Sequence, residues 1–137
     1  MLQVLDEVLN NPHDTTKIHL VYGNVSDQDI ILKDRIDALV AKHPKQLQVT
    51  YVVDKATSNK WMDPDGIIRE KHAVGYVTPE LLKKSLPPPS TSTMVFVCGP
   101  PGMMNFVSGG KAPDWSQGEV TGILAELGFT KENVFKF

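Results

Sequence analysis

Apolar residues recur with two different periods along the chain, and these periods predict strands and helices in alternation. Short runs of β-branched and aromatic residues at Ile18–Tyr22 and Gln48–Asp54 are typical of strands in a buried sheet. Between them lies a helical repeat that predicts a helix over about 27–42, which the His43-Pro44 pair ends: Leu32, Ile36, Leu39 and Val40. Because a helix joins the two strands, the pattern favours a βαβ unit with a parallel sheet.

The segments on either side of this unit differ in character. Leu2, Leu5 and Leu9 predict an amphipathic helix that begins at residue 1, with no strand before it. After the second strand, Lys55–Gly75 shows no period and is expected to be irregular, with a turn at Pro64–Gly66. Within that stretch Trp61 is the only large apolar residue expected to anchor it.

The second half of the chain repeats the scheme. Thr78-Pro79-Glu80 predicts a helix start, and the prolines from Pro87 onward end that helix. A strand is expected at Met94–Cys98, followed by a loop from Gly99. Ser116 and Glu119 match a capping box, which predicts a helix over about 117–127. Asn133–Phe137 is expected to be a closing strand.

Length and composition narrow the class of protein. The chain has 137 residues, of which 41% are hydrophobic, and this fits one globular domain. A net charge of -2 without a basic stripe argues against nucleic acid as a partner. No apolar run approaches the roughly 18 residues of a membrane span. The lone Cys98 excludes an internal disulfide, and the four histidines lack the spacing of metal ligands, so no metal site is predicted.

Cys98 is the residue with the most chemical potential, because it ends a predicted strand where open α/β sheets bind ligands. No glycine-rich phosphate loop of the G-x-G-x-x-G or P-loop type is present. A tyrosine-phosphatase loop would need arginine where Met104 stands. Two interpretations of Cys98 stay open from the residues alone: a nucleophilic thiol, or a small buried hydrophobe that closes the strand.

Four blocks in this order resemble the NADH-binding half of NADH-cytochrome b5 reductase, in particular the fungal mitochondrial form: Tyr22-Gly23-Asn24 as a turn, Val53-Asp54-Lys55-Ala56, Cys98-Gly99-Pro100-Pro101 with Met103, and Val134-Phe135-Lys136-Phe137. The resemblance spans the whole chain. It implies a doubly wound parallel α/β sheet of the ferredoxin-reductase-like type, with residues 1–137 as a partial NADH-binding domain. The family's first, central strand and its FAD-binding barrel are expected to be absent.

The resemblance also implies a reaction, in which hydride passes from NADH to FAD and electrons then pass to cytochrome b5 or a similar acceptor. It implies a mitochondrial location, at the outer membrane or in the intermembrane space. Two other classes of function stay open. One is a truncated, inactive fragment that binds a nucleotide or a partner, and the other is a thiol enzyme that uses Cys98.

Roles for individual residues follow from the resemblance. Cys98 is expected beside the nicotinamide as the catalytic packing group, and Gly99 is expected to leave room for the ring, within the Cys98-Gly99-Pro100-Pro101 loop. Met103 is expected near the adenine and Phe137 near the flavin. For each there is a plain alternative: Met103 as an ordinary core residue, and Phe137 as an ordinary edge-strand residue.

The first half of the chain contributes the remaining cofactor-binding candidates. Gly23 and Asn24 are expected to shape the site for the ribose and diphosphate, although a Gly-Asn pair is also common in turns. Asp54 ends a strand, where its carboxylate can accept hydrogen bonds from ribose hydroxyls and repel a 2′-phosphate. This predicts a preference for NADH over NADPH, unless Asp54 is merely a solvated acid.

Overall fold

The computed structural model describes residues 1–57 and 70–137, which form two compact units, Leu2–Val77 and Thr78–Phe137. The first unit contains α1 (Leu2–Asn10), β1 (Ile18–Ser26), α2 (Lys33–Lys42), β2 (Leu47–Lys55) and β3 (Glu70–Val74). The second contains α3 (Pro79–Ser85), β4 (Val95–Val97), α4 (Pro101–Val107), α5 (Gly122–Glu126) and β5 (Val134–Lys136). All strand pairs are parallel, so the predicted α/β class is confirmed.

The first unit is built on a three-stranded sheet in the order β1-β2-β3. The central strand, β2, is buried from Val49 to Val53, because its alternating side chains are covered on both faces. Helices α1 and α2 add their apolar faces to the core, which is formed by Leu5, Leu9, Ile30, Ile36, Val40, Leu47, Val49, Tyr51 and Val53. The predicted period of α1 is confirmed by the burial of Leu5 and Leu9.

The second unit is built on the parallel pair β4-β5, in which Val95 lies opposite Val134. Its buried apolar residues come from α3, α4, α5, the strands and the loop after α5: Leu82, Val97, Met104, Val107, Ile123, Leu124, Phe129 and Val134. The helix start at Thr78 is confirmed, because the Thr78 hydroxyl accepts a hydrogen bond from the Leu81 amide at 3.2 Å.

Two predictions about the segment after Tyr22 are wrong. Gly23 and Asn24 do not form a turn, because β1 continues to Ser26 and Asn24 lies opposite Val53 in the ladder. Helix α2 begins at Lys33 and not near residue 27. Leu32 adopts a left-handed backbone with φ of 61°, which separates the helix from the turns before it.

The predicted helix over 117–127 is also wrong in most of its length, since α5 covers only Gly122–Glu126. The Ser116 amide donates to Asp114 Oδ1, and its carbonyl accepts from Ala112, so Ser116 belongs to a turn and not to a capping box. Gly118 and Gly122 each have φ of 63°, a backbone conformation outside the right-handed helix.

The stretch expected to be irregular contains a strand, because Glu70–Val74 forms β3 beside β2. The predicted turn at Pro64–Gly66 and the predicted anchor Trp61 lie outside the described residues. Within the described residues, β1 pairs with β2 alone and β4 pairs with β5 alone. In that same part of the chain, no helix is both long enough and apolar enough to cross a bilayer.

Candidate functional site

The carboxyl ends of β1 and β2 bring the first group of candidate residues to one edge of the sheet. Asn24 lies opposite Val53 and Ser26 opposite Lys55, so Asn24 and Asp54 sit on neighbouring parallel strands about 4.8 Å apart. Asp54 is exposed at this edge. The Gly23-Asn24 pair and the acid that sequence reasoning selected separately thus lie at the same edge of the sheet, on neighbouring strands.

Asn24 carries an unused hydrogen-bond donor. Its Nδ2 atom is buried and has no acceptor in the part of the chain that the structure describes. A buried donor without a partner costs about 1 to 3 kcal/mol, and an acceptor from a bound molecule would remove that cost. The preceding Gly23 is exposed, and a Cβ there would meet no protein atom within 4 Å. Asn24 therefore fits the expected role of binding an oxygen-rich part of a cofactor.

A side-chain contact extends the edge beyond the last ladder pair. Asp27 Oδ1 accepts hydrogen bonds from the Thr57 amide at 2.6 Å and from the Thr57 hydroxyl at 2.7 Å. Ser26 and Asp29 form a separate local bond of 2.6 Å between hydroxyl and carboxylate. Sequence reasoning missed the Asp27–Thr57 contact, because nothing in the spacing of residues 30 positions apart indicates it.

The second group of candidates follows β4. Cys98 comes directly after the strand and is exposed, so the interpretation as a buried hydrophobe is wrong. Gly99, Pro100 and Pro101 are exposed too, and α4 begins at Pro101. This stretch offers an open backbone and a free thiol.

Met103 lies against Gly99 and is half-buried. A Cβ at Gly99 would clash with the end of the Met103 side chain, with the sulfur only 2.8 Å away. Because a methionine side chain is flexible, it can move to admit a neighbour. The absence of a Cβ at Gly99 is what lets Met103 fold over this loop.

Phe137 lies beside the end of β4, because its amide donates to the Val97 carbonyl at 3.0 Å. Its ring packs with those of Phe96 and Phe135, at centroid distances of 6.1 and 5.1 Å. All three rings are exposed on one face of the β4-β5 sheet. Phe137 therefore belongs to an aromatic cluster formed with Phe96 and Phe135.

Lys136 was missed as a structural residue by sequence reasoning. It is fully buried, and its Nζ donates to the carbonyls of Gly110 at 3.0 Å and Glu119 at 2.7 Å. Burial lowers the pKa of Lys136 below its usual value, and the Glu119 carboxylate opposes that shift. The Gln117 side chain pairs with both the amide and the carbonyl of Lys136, at 2.6 and 3.1 Å. Together these bonds hold the loop after α4 against β5.

Metal ligands are not part of either group: in residues 1–57 and 70–137, no three His, Cys, Asp or Glu side chains converge on one point. The chemistry available is therefore that of a polar strand edge in the first unit, and of an exposed thiol, glycine and aromatic cluster in the second.

Comparison with known proteins identifies the family. A model of the family described as "Oxidoreductase NAD-binding domain" matches residues 1–109. The chain belongs to this family. The matched residues of this oxidoreductase NAD-binding domain include every candidate named above except Phe137.

Curated relatives of this NAD-binding domain match it over all 137 residues. An NADH-cytochrome b5 reductase-like protein of Arabidopsis thaliana is 53% identical, and NADH-cytochrome b5 reductase 2 of Meyerozyma guilliermondii is 47% identical. The chain spans 38% and 43% of these two proteins. The predicted resemblance to NADH-cytochrome b5 reductases is confirmed, and it extends to plants as well as fungi.

Solved structures support the same fold. The cytochrome b5 reductase domain of Ulva prolifera nitrate reductase matches 98% of the chain and 42% of its own length, with a TM-score of 0.74 and 28% identity. The CS-b5R domains of human Ncb5or match with a TM-score of 0.68 at 22% identity, covering 100% of the chain and 32% of theirs. The ferredoxin-reductase-like fold is thus confirmed.

Proposed function

We propose that this chain is the NADH-binding part of a flavoprotein reductase, which takes hydride from NADH, passes it to FAD held elsewhere in the protein, and delivers electrons to cytochrome b5. The observation that carries the proposal is the match of the oxidoreductase NAD-binding family over residues 1–109. Relatives named NADH-cytochrome b5 reductase supply the donor and acceptor in this scheme. The inactive fragment is less favoured, because Gly23, Asn24 and Asp54 lie at one edge of the sheet, as a nucleotide site requires.

In this proposal the Asn24 amide holds the ribose or diphosphate of NADH. The support is the buried Nδ2 atom, which has no acceptor among residues 1–57 and 70–137, beside a glycine whose missing Cβ leaves open space with respect to the same residues. A phosphate or hydroxyl oxygen is the kind of acceptor that an amide N–H pairs with. Asn24 thereby fixes the adenosine end without carrying charge.

Asp54 selects NADH over NADPH. Its exposed carboxylate stands at the end of β2, where it can accept hydrogen bonds from ribose hydroxyls. A 2′-phosphate would place like charge against it, and such contacts cost on the order of one to several kcal/mol. The neighbouring Lys55 is also exposed and partly offsets the repulsion.

The Cys98-Gly99-Pro100-Pro101 loop packs against the nicotinamide, which supplies the hydride when NADH is bound. Cys98 provides a soft, exposed contact group, and Gly99 lets the ring approach the backbone. Met103 either moves aside or packs on the adenine. Phe137 and its neighbouring aromatic rings pack on the side of the site that faces the flavin.

The location that we propose is the mitochondrion, and it rests on the resemblance alone.

Calorimetric titration of the chain with NADH tests the binding proposal. Asn24→Ala should weaken NADH binding by about tenfold, because it removes one buried hydrogen bond worth about 1.4 kcal/mol. Gln28→Ala, an exposed polar residue in the turn after β1, is the matched control and should leave the Kd unchanged. Equal affinities for wild type and Asn24→Ala would contradict the assigned role.

The selectivity and thiol roles are tested separately. Asp54→Ser should shift the ratio of NADPH to NADH affinity by about tenfold toward NADPH. In the full-length protein, Cys98→Ser should slow NADH-driven ferricyanide reduction while leaving the Kd for NADH within about threefold. Complete loss of activity in a folded, flavin-loaded Cys98→Ser protein would instead favour the thiol enzyme.

A further inference from the structure

The contact between Asp27 and Thr57 lies at the same strand edge as Asp54 but has no place in the proposed binding roles. Thr57 follows Asp54 by three residues, beyond the end of β2. Both its amide and its hydroxyl donate to one carboxylate oxygen of Asp27, at 2.6 and 2.7 Å. Two short bonds to a charged acceptor are stronger than neutral hydrogen bonds.

The β1-β2 ladder reaches one residue past Asp54 and ends at Lys55. Asn24 pairs with Val53 and Ser26 with Lys55, and the Gly75 amide donates to the Val53 carbonyl at 2.8 Å. Beyond Lys55 the ladder ends, and an exposed strand end without a further constraint frays. The Asp27 carboxylate supplies that constraint to the segment Asp54–Thr57.

We propose that Asp27 is a positioning residue for nucleotide selectivity: by binding Thr57 it fixes the end of β2, and so holds the Asp54 carboxylate where a 2′-phosphate would meet it. This inference rests on the proposed function of Asp54. Asp27 acts through the backbone of the Asp54–Thr57 segment and does not itself contact the nucleotide. The selectivity for NADH over NADPH therefore depends on Asp27, a residue that follows β1, although Asp54 itself lies in β2.

The test compares the ratio of the Kd values for NADPH and NADH, measured by calorimetry on the chain. Asp27→Ala should reduce discrimination against NADPH by about three- to tenfold, because a displaced carboxylate repels less. Asp27→Asn should retain most of the discrimination, since the amide oxygen still accepts from Thr57. Thr57→Val, which removes only the hydroxyl and keeps the N–H donor, should cause a smaller loss of about twofold.

Two controls separate positioning from other effects. Asp29→Ala removes an exposed acid of the same loop whose carboxylate accepts a hydrogen bond from the Ser26 hydroxyl, and it should leave the ratio unchanged. The double variant Asp27→Ala with Asp54→Ser should match Asp54→Ser alone, because no carboxylate remains to be positioned. The Thr57 amide resonance should move upfield, and its hydrogen exchange should accelerate, in Asp27→Ala.

The outcomes distinguish this inference from the function on which it rests. If Asp54→Ser changes the ratio and Asp27→Ala does not, the positioning role is overturned and the role of Asp54 stands. If Asp27→Asn loses as much discrimination as Asp27→Ala, the charge of Asp27 acts directly on the nucleotide and positioning is overturned. If Asp54→Ser itself leaves the ratio unchanged, both fail. If Asp27→Ala does not fold, Thr57→Val tests the positioning role by the same ratio of Kd values for NADPH and NADH, and an unchanged ratio overturns that role.

Discussion

The two units of the chain hold their strands in place by different means. In Leu2–Val77 the central strand β2 has a paired strand on each side and an apolar core from two helices. In Thr78–Phe137 the strand β5 has a paired strand on one side only, and on the other the Gln117 side chain bonds its backbone. The first unit therefore depends on apolar burial and a regular ladder, and the second depends more on individual polar contacts.

This difference matters for the loops as well as the strands. The loop from Gly109 to Gly122 returns to its start, where the Thr121 amide donates to the Ser108 carbonyl at 3.0 Å. The buried Lys136 ammonium occupies its interior, and glycines permit the close backbone contacts. Compact loops closed by their own contacts are a recurrent form of ordered, non-repetitive structure. The second unit is therefore stabilised by the contacts of a few residues, whereas many residues share the stabilising contacts of the first unit.

The largest expected effect tests the apolar core of the first unit. Ile36→Ala should lower the free energy of unfolding by about 2 to 5 kcal/mol, because Ile36 is 2% exposed and its truncation leaves a cavity. Ile31→Ala, which alters a residue that is 69% exposed, should change it by less than about 0.5 kcal/mol. Urea unfolding followed by circular dichroism measures both. Similar losses in the free energy of unfolding for the two variants would contradict the conclusion that the first unit is stabilised by its apolar core.

A glycine substitution tests the closed loop of the second unit. Gly122→Ala should cost about 2 to 3 kcal/mol, since Gly122 has φ of 63° and a Cβ would lie 2.9 Å from the Phe106 carbonyl carbon. Gly102→Ala is the matched control, because a Cβ at Gly102 would meet no atom of the described residues within 4 Å. It should be neutral or stabilising by up to about 1 kcal/mol. Thermal unfolding distinguishes the pair, and a tolerated Gly122→Ala would show that the loop can rearrange.

Replacement of the buried ammonium sharpens the comparison further. Lys136→Met should destabilise the protein by about 1 to 3 kcal/mol, because the carbonyls of Gly110 and Glu119 lose their donor while the apolar stem is kept. Lys131→Met, at an exposed lysine, should be nearly neutral. Hydrogen exchange should accelerate at Thr121 in Lys136→Met only. An unchanged or increased stability would mean that burial of the charge costs as much as its bonds contribute.

The smallest expected effect is a dependence on pH. Because burial lowers the pKa of Lys136 below 10.5, the folded chain releases this proton before the unfolded chain does. The unfolded state then binds more protons, so the contribution of Lys136 to the free energy of unfolding should rise as the pH increases toward 10.5. The difference between wild type and Lys136→Met, measured from neutral pH upward, isolates this group. A falling difference would contradict the lowered pKa.

Periodicity predicted the elements whose stability comes from a continuous apolar face. The helix with Leu5 and Leu9, the strands at Ile18–Tyr22 and Gln48–Asp54, and the start of α3 at Thr78 agree with the structure. Periodicity failed at 117–127. There the apolar residues Ile123 and Leu124 are buried, but the residues before Gly122 form a loop held by Gln117 and Lys136. A local pattern cannot register contacts made with a strand 19 residues away.

The candidate site also has some features that the sequence predicted and others that it did not. The position of Cys98 and Asp54 at strand ends was predictable, because a strand followed by a glycine-rich or irregular segment is visible in the residue order. The exposure of Cys98 was not predictable, nor was the burial of Asn24 Nδ2 without an acceptor in the described part of the chain, since both depend on what surrounds these groups in space.

The sequence by itself determined the alternation of strands and helices, the α/β class and the motifs that resemble a reductase, because each rests on residue type and local period. Only the tertiary structure decided that Asn24 and Asp54 share one edge, that Asp27 binds Thr57, and that Lys136 is buried within a loop. The physical reason is that hydrogen bonds between distant residues depend on register and closure. These are properties of the folded chain and not of any short segment.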